Sequence, residues 1–134
     1  MAVTPACNFP YVARGGDPVI YALGIDTPSN NTYRQGTCPA ACTSTSKTVA
    51  VRPNGVNLYV SDGVGQIASY TLNSNGVPTA VGSAVTGLSS PVSLAVDSTG
   101  NYLLAVTSGD GVLTSYAILQ SGALATVQSL KVGT

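Results

Sequence analysis

The sequence predicts an all-β fold, three four-stranded antiparallel β-propeller blades forming an incomplete ring, and three observations lead there. The segment AVRPNGVNLYV, beginning at Ala50, returns as AVDSTGNYLLAV from Ala95 and has a degenerate predecessor, AVTPACNFPYV, from Ala2. The spacings are 48 and 45 residues, in the range of one four-stranded propeller blade. Turn residues cut each unit into four short apolar segments, none with a sustained 3.6-residue stripe, so essentially no helix is expected.

The elements follow in order. The first unit, about residues 1–44, starts inside a strand at Ala2-Val3 and sets Ile20, Leu23 and Ile25 where the second unit has Ile67, Tyr70 and Leu72. Its last strand is expected at about Tyr33 to Cys38. In the second unit, about 45–90, strands are expected at Thr48 to Arg52, Asn57 to Ser61, Gln66 to Leu72 and about Thr79 to Val85. Pro53-Asn54-Gly55 and Asn73-Ser74-Asn75-Gly76 make the turns, because Asn and Gly tolerate the positive φ of tight hairpins. The third unit, about 91–134, repeats the pattern at Val92 to Asp97, Tyr102 to Thr107, Val112 to Leu119 and Leu124 to about Val132.

The second strands carry uninterrupted apolar runs, Leu58-Tyr59-Val60 and Tyr102-Leu103-Leu104-Ala105-Val106. A half-exposed strand would alternate, so these predict burial on both faces, as in a sheet held between two neighbours. Tyr11, Tyr59, Tyr70, Tyr102 and Tyr116 are accordingly expected in the core. A β-sandwich would not repeat at this interval, and a β-helix repeats at shorter ones. Propellers typically close with four to eight blades, so three leave two bare end faces, each presenting apolar surface that a soluble monomer rarely tolerates. The ring is therefore expected to close by self-association, a homodimer of six blades or an open filament, or against further blades of a larger protein.

Composition narrows the function. Only 7% of the residues are charged and the formal net charge is zero, so the basic face that nucleic acid demands is not expected. No apolar stretch reaches the ~20 residues of a membrane-spanning helix, and membrane insertion is not expected either. No export signal opens the chain, yet its Ser/Thr/Asn/Gly-rich, charge-poor character suggests an extracellular or periplasmic setting. Of the three cysteines, Cys38 and Cys42 could form a local disulfide across Pro39; free buried thiols are the alternative. Three Cys without His fall short of a structural zinc site.

The run Pro91-Val92-Ser93-Leu94-Ala95-Val96-Asp97, continued by Gly100, Tyr102 and Leu103, resembles the lactonase-like β-propeller repeat family (6-phosphogluconolactonase-type, YVTN-like). The next segment, Gly111-Val112-Leu113-Thr114-Ser115-Tyr116-Ala117-Ile118 with Ser121-Gly122-Ala123-Leu124, is similar to that family's following hairpin. The resemblance runs best from Thr48 to Thr134. It implies a propeller and, for members with lactonase or muconate-cyclising activity, His, Glu and Arg in a central pocket. This chain contains neither His nor Glu, and no catalytic residue is carried over.

Opening a lactone needs a base to activate water and a positive group for the oxyanion. Asp26 falls at a turn and is expected to serve turn chemistry, whereas Asp97 falls at the end of a first strand and is expected to be solvated. The loops between second and third strands carry Arg14-Gly15-Gly16-Asp17, Asp62-Gly63-Val64-Gly65 and Ser108-Gly109-Asp110-Gly111. Arg14, Asp17, Asp62, Ser108 and Asp110 are the candidate ligand-binding face. Their carboxylates could offer oxygen to a hard cation such as Ca²⁺, but they sit on different blades and each alone is too few, so no metal and no cofactor is expected. No phosphate-loop motif is present, and a Ser-His-Asp triad is impossible without His. The expected function is a non-enzymatic scaffold that assembles with itself or docks partners through its end blades. The alternatives are a protomer or fragment of a lactonase-type hydrolase, and a carbohydrate-binding propeller.

Overall fold

The computed structural model describes residues 2–3, 10–13, 20–26, 31–37, 46–74 and 77–133. Among them the strands form three four-stranded antiparallel sheets, each a meander in chain order, and there is no helix. Sheet one holds β1 (Ala2–Val3), β2 (Pro10–Ala13), β3 (Ile20–Asp26) and β4 (Asn31–Thr37). Sheet two holds β5 (Ser46–Val51), β6 (Asn57–Asp62), β7 (Ile67–Leu72) and β8 (Pro78–Ala80). Sheet three holds β9 (Pro91–Val96), β10 (Tyr102–Thr107), β11 (Val112–Ile118) and β12 (Leu124–Lys131).

The sequence repeat is a repeat of register. Ala2 pairs with Tyr11 and Tyr11 with Ala22; Ala50 pairs with Tyr59 and Tyr59 with Ser69; Ala95 pairs with Leu104 and Leu104 with Ser115. Turn chemistry fixes this, since a one-residue slip would send every side chain to the opposite face. At the first turn of sheets two and three, Gly55 (φ 72°) and Gly100 (φ 73°) take the left-handed conformation. Their N–H groups donate to the carbonyls of Arg52 and Asp97.

Sheet two separates two cores. Val49, Leu58, Val60, Ala68, Tyr70 and Leu72 bury one of its faces against Tyr11 of sheet one. On the other face Ala50, Tyr59 and Ile67 meet Leu94, Leu103, Ala105, Tyr116 and Ile118 of sheet three. The first strands carry this stacking: β1 and β2 lie against β5, and β5 and β6 against β9. Alternate residues of β6 therefore enter different cores, and all six of its residues are buried. This is why Leu58-Tyr59-Val60 reads as an unbroken apolar run.

Three expectations need correcting. The strand β10 does not repeat the double burial of β6: Leu103, Ala105 and Thr107 are buried, whereas Tyr102 and Leu104 are exposed. Its apolar run has the same pattern, but among the described residues a sheet packs against only one side of sheet three. Tyr102 for that reason leaves the core with 46% exposure, while Tyr11, Tyr59, Tyr70 and Tyr116 stay inside. The fourth strand of sheet two is split: β8 stops at Ala80, Gly82 turns the chain at φ 64°, and only Val85 regains the sheet, bridging Ile67.

Candidate functional site

The glycine-rich loops between the second and third strands of sheets two and three lie at the same end of their sheets. The connection from sheet two to sheet three runs between them and is bound by both. Leu88 donates its N–H to the Gly65 carbonyl, while Ser108 and Gly109 donate theirs to the carbonyls of Ser90 and Ser89. Glycine is required by contact at Gly65 (φ 93°), where a Cβ would run into the Leu88 carbonyl oxygen, whereas a Cβ on Gly109 would crowd the Ser89 hydroxyl and force it to move. Ser90 takes φ 57°, the only non-glycine in the left-handed region among the described residues, and its carbonyl also accepts from the Ser108 hydroxyl at 3.4 Å.

Of the candidate ligand-binding residues, the structure brings Asp62, Ser108 and Asp110 to this end; Arg14 and Asp17 lie outside the described residues, as do Cys38 and Cys42. Asp62 is buried and its Oδ1 accepts the N–H groups of Val64 (3.0 Å) and Gln66 (2.9 Å). That is an Asx turn closing its own loop. Asp110 is exposed, and the buried Thr107 hydroxyl donates to its Oδ1. Among the described residues no three His, Cys, Asp or Glu side chains lie together as a metal cluster would need.

One feature of this end had no motif to announce it. Ser46 pairs with Asp62 and Thr48 with Ser61, which leaves Lys47 as an extra residue in β5. In sheet three Pro91 pairs with Thr107 and Ser93 with Val106, which leaves Val92 extra in β9. The two bulges are 45 residues apart, repeat-equivalent, and turn Lys47 and Val92 out to solvent. Lys47 is thus an exposed cation at the loop-bearing end.

At the opposite end sheets two and three are latched by polar contacts. Arg52 Nε donates to the Gly100 carbonyl at 2.7 Å, and the Tyr59 hydroxyl donates to the Gly122 carbonyl at 3.0 Å. Burial pushes the Tyr59 phenol up to about 12, with the nearby Arg52 charge pulling the other way. Burial alone pushes Tyr11 up to about 12, and it raises Tyr116 despite the opposing hydrogen bond with Thr114. Asp97 is held below the usual aspartate value by the Thr99 hydroxyl and by the N–H groups of Tyr102, Thr99 and Asn101. Asp97, expected only as a solvated strand end, therefore closes the turn that follows it.

An apolar surface lies on the outer face of sheet three. Leu104 (36% exposed), Leu113, Ser115, Gln128 and Leu130 (57%) line a shallow depression of ≈ 150 Å³ on it. Tyr102, two residues from Leu104 on the same face of β10, adds to the exposed apolar set.

Over residues 11–133 the chain matches the family model described as lactonase, 7-bladed beta-propeller. Solved structures agree on the fold. A candidate 6-phosphogluconolactonase from Bacteroides fragilis shares 21% identity at a TM-score of 0.85, with 97% of this chain and 38% of that one covered. The periplasmic gluconolactonase PpgL of Pseudomonas aeruginosa shares 18% at 0.82, covering 98% and 39%. Sqt1 of Saccharomyces cerevisiae shares 19% at 0.75, covering 98% and 34%. The chain thus spans about two fifths of the length of the first two. No curated protein matches it. A repeat of 45 to 48 residues, meander sheets stacked through their first strands, and a family match across nearly all of the sequence converge: the chain belongs to the lactonase family of β-propellers.

Proposed function

We propose that this chain is a non-enzymatic docking module of propeller type, which engages further propeller sheets through the outer face of sheet three. One observation carries the reading. The positions that line that face are those which, in sheet two, are buried against sheet three: Leu104 stands at the register of Tyr59, Leu113 at that of Ile67 and Ser115 at that of Ser69. Covering about 300 Å² of such surface is worth several kcal/mol at ~25 cal/mol per Å². That is a large part of the ~5–15 kcal/mol by which a domain is stable.

The Leu104→Asp, Leu130→Asp double variant tests the reading. The wild-type chain is expected to bind an environment-sensitive apolar dye, or to associate, through this face, and the double variant to lose whichever of the two occurs. Equal dye binding and equal sedimentation by wild type and variant would overturn it.

Family membership favours a second reading, a portion of a lactonase-type hydrolase. These 134 residues contain neither His nor Glu, so water activation would fall to Asp, and Asp62 already spends its carboxylate on its own loop. A glucono-lactone assay separates the two. Ring opening by this chain well above the buffer rate would favour the hydrolase.

A further inference from the structure

We propose that Asn54 is a site of spontaneous covalent modification. The Gly55 nitrogen closes on its carboxamide, ammonia leaves, and the isoaspartate that results releases the latch between sheets two and three.

Asn54-Gly55 lies in the turn between β5 and β6, and the turn meets the requirements of the reaction. Asn54 is exposed, so water reaches it, and Gly55 has no side chain to hinder approach to its nitrogen. Asn54 Oδ1 accepts the Val56 N–H at 2.9 Å. This Asx turn folds the carboxamide over the peptide nitrogen that attacks it. The same N–H stands at the oxygen on which negative charge gathers as the tetrahedral adduct forms, and a donor there stabilises that charge. One contact opposes the reaction: the Gly55 N–H donates to the Arg52 carbonyl at 2.8 Å and keeps its proton while that bond lasts. The bond closes an exposed turn, and such bonds open locally without unfolding the sheet.

The step needs water and no redox partner. The Gly55 nitrogen gives its proton to solvent base and bonds to Asn54 Cγ; the Cγ–Nδ2 bond breaks and that nitrogen leaves as ammonia. The product is a cyclic imide. Water adds to either of its carbonyl carbons, and the bond from that carbon to nitrogen breaks. Opening at Cγ gives aspartate. Opening at the main-chain carbon gives isoaspartate, whose backbone runs through Cβ and Cγ and is one methylene longer. The new acid passes its proton to the ammonia.

The place of the turn gives the modification its effect. Arg52 leads into it and carries the latch: its Nε donates to the Gly100 carbonyl at 2.7 Å and its Nη1 to Asn57 Oδ1 at 3.3 Å. The two turns are pressed together, so that a Cβ on Gly100 would stand 3.3 Å from Arg52 Cγ and 3.4 Å from Pro53 Cδ. A methylene inserted between Pro53 and Val56 cannot keep the Gly55 N–H on the Arg52 carbonyl within the same space. Arg52 is thereby shifted off Gly100. Sheet three holds the comparison. Thr99 precedes Gly100 where Asn54 precedes Gly55, with the same backbone (φ 73° and 72°), and threonine cannot form the imide. Asn57 and Asn101 precede Leu58 and Tyr102, whose side chains crowd the attacking nitrogen. Asn73 spends its Oδ1 on the Val77 N–H, four positions on. Asn75-Gly76 has the same dipeptide but lies outside the described residues.

The test ages folded wild type and Asn54→Thr side by side in mildly alkaline buffer. Each is then mapped by peptide mass, labelled with an isoaspartyl methyltransferase, and unfolded in denaturant. In wild type the peptide bearing Asn54 is expected to exchange its amide for an acid and take the methyl label, while Asn57 and Asn101 keep their amides. Aged wild type is expected to lose unfolding midpoint relative to fresh protein. Asn54→Thr, which retains Asn75, is expected to hold its midpoint. Fresh Asn54→Asp carries the new charge without the methylene and is expected to unfold close to fresh wild type. Should Asn54→Thr fail to fold, Asn54→Gln, whose longer arm closes the imide far more slowly, replaces it. An Asn54 that keeps its amide while Asn75 converts would overturn the proposal. So would a converted chain with the midpoint of fresh protein, or a fresh Asn54→Asp chain as weak as the aged one.

Discussion

The Tyr59 hydroxyl reaches across from sheet two and donates to the carbonyl of Gly122, 3.0 Å away and 63 positions later. Tyr59 is fully buried, so its phenol needs this partner. Tyr59→Phe is expected to lower unfolding stability by about 1 kcal/mol, read from a denaturant midpoint. Gly122→Ala is expected to cost more, about 2 kcal/mol. It combines a φ of 93° with a Cβ driven into the buried Asn57 side chain.

The connection between sheets two and three allows a comparison of two glycines with similar backbones. Gly65 (φ 93°) would press a Cβ against the Leu88 carbonyl, whereas a Cβ on Gly87 (φ 82°) meets nothing. Gly87→Ala should therefore cost only the left-handed backbone penalty, ~1–2 kcal/mol. Gly65→Ala should cost distinctly more, because the obstacle is main chain and cannot rotate away. Thermal melts of the two variants side by side check the order.

Alkali should unfold the chain through its tyrosines. Tyr11 and Tyr59 are pushed up to about 12 in the folded state, from an ordinary 10.0. Below about pH 10 both states hold the phenolic proton and folding keeps its full stability. Between 10 and 12 the unfolded chain releases its protons first, so stability falls as pH rises. Ultraviolet titration of tyrosinate should show late-ionising groups appearing together with loss of strand circular dichroism.

In acid the relevant group is Asp97, whose carboxylate collects three N–H donors and the Thr99 hydroxyl. Its value is lowered, so its stabilising contribution is present above the ordinary aspartate range and is lost as pH falls through the folded value. Asp97→Ala should loosen the turn at Ser98-Thr99-Gly100 and speed amide exchange of Asn101 and Tyr102. Asp97→Asn, which keeps an acceptor, should restore much of the protection.

Ser61 carries a buried hydroxyl with no hydrogen-bond partner among the described residues. An unmet buried polar group costs ~1–3 kcal/mol, so Ser61→Ala is expected to be neutral or stabilising, which would be unusual for a fully buried site. A differential scanning trace answers it.

The repeat interval made the sheets legible, because turn glycines and apolar runs are local signals. Ser108-Gly109-Asp110-Gly111 reads as a loop on that basis. That a Cβ on Gly109 would crowd Ser89 does not, since the contact joins two segments the sequence keeps apart. The same limit explains Tyr102: pattern shows which positions alternate but not whether a neighbour stands on each side. Lys47 was hidden more deeply. A bulge is a mismatch between two strands, so it exists only in their pairing.

Sheet two also has a kinetic meaning. Each of its faces is shielded by a different neighbour, and sheets one and three share no core among the described residues. Fraying can begin at either terminus without disturbing the far one, in the manner of a one-dimensional array. The amides of β6 should then be the last to exchange with heavy water, and an insult to sheet three should leave Tyr11 as slow to respond as before.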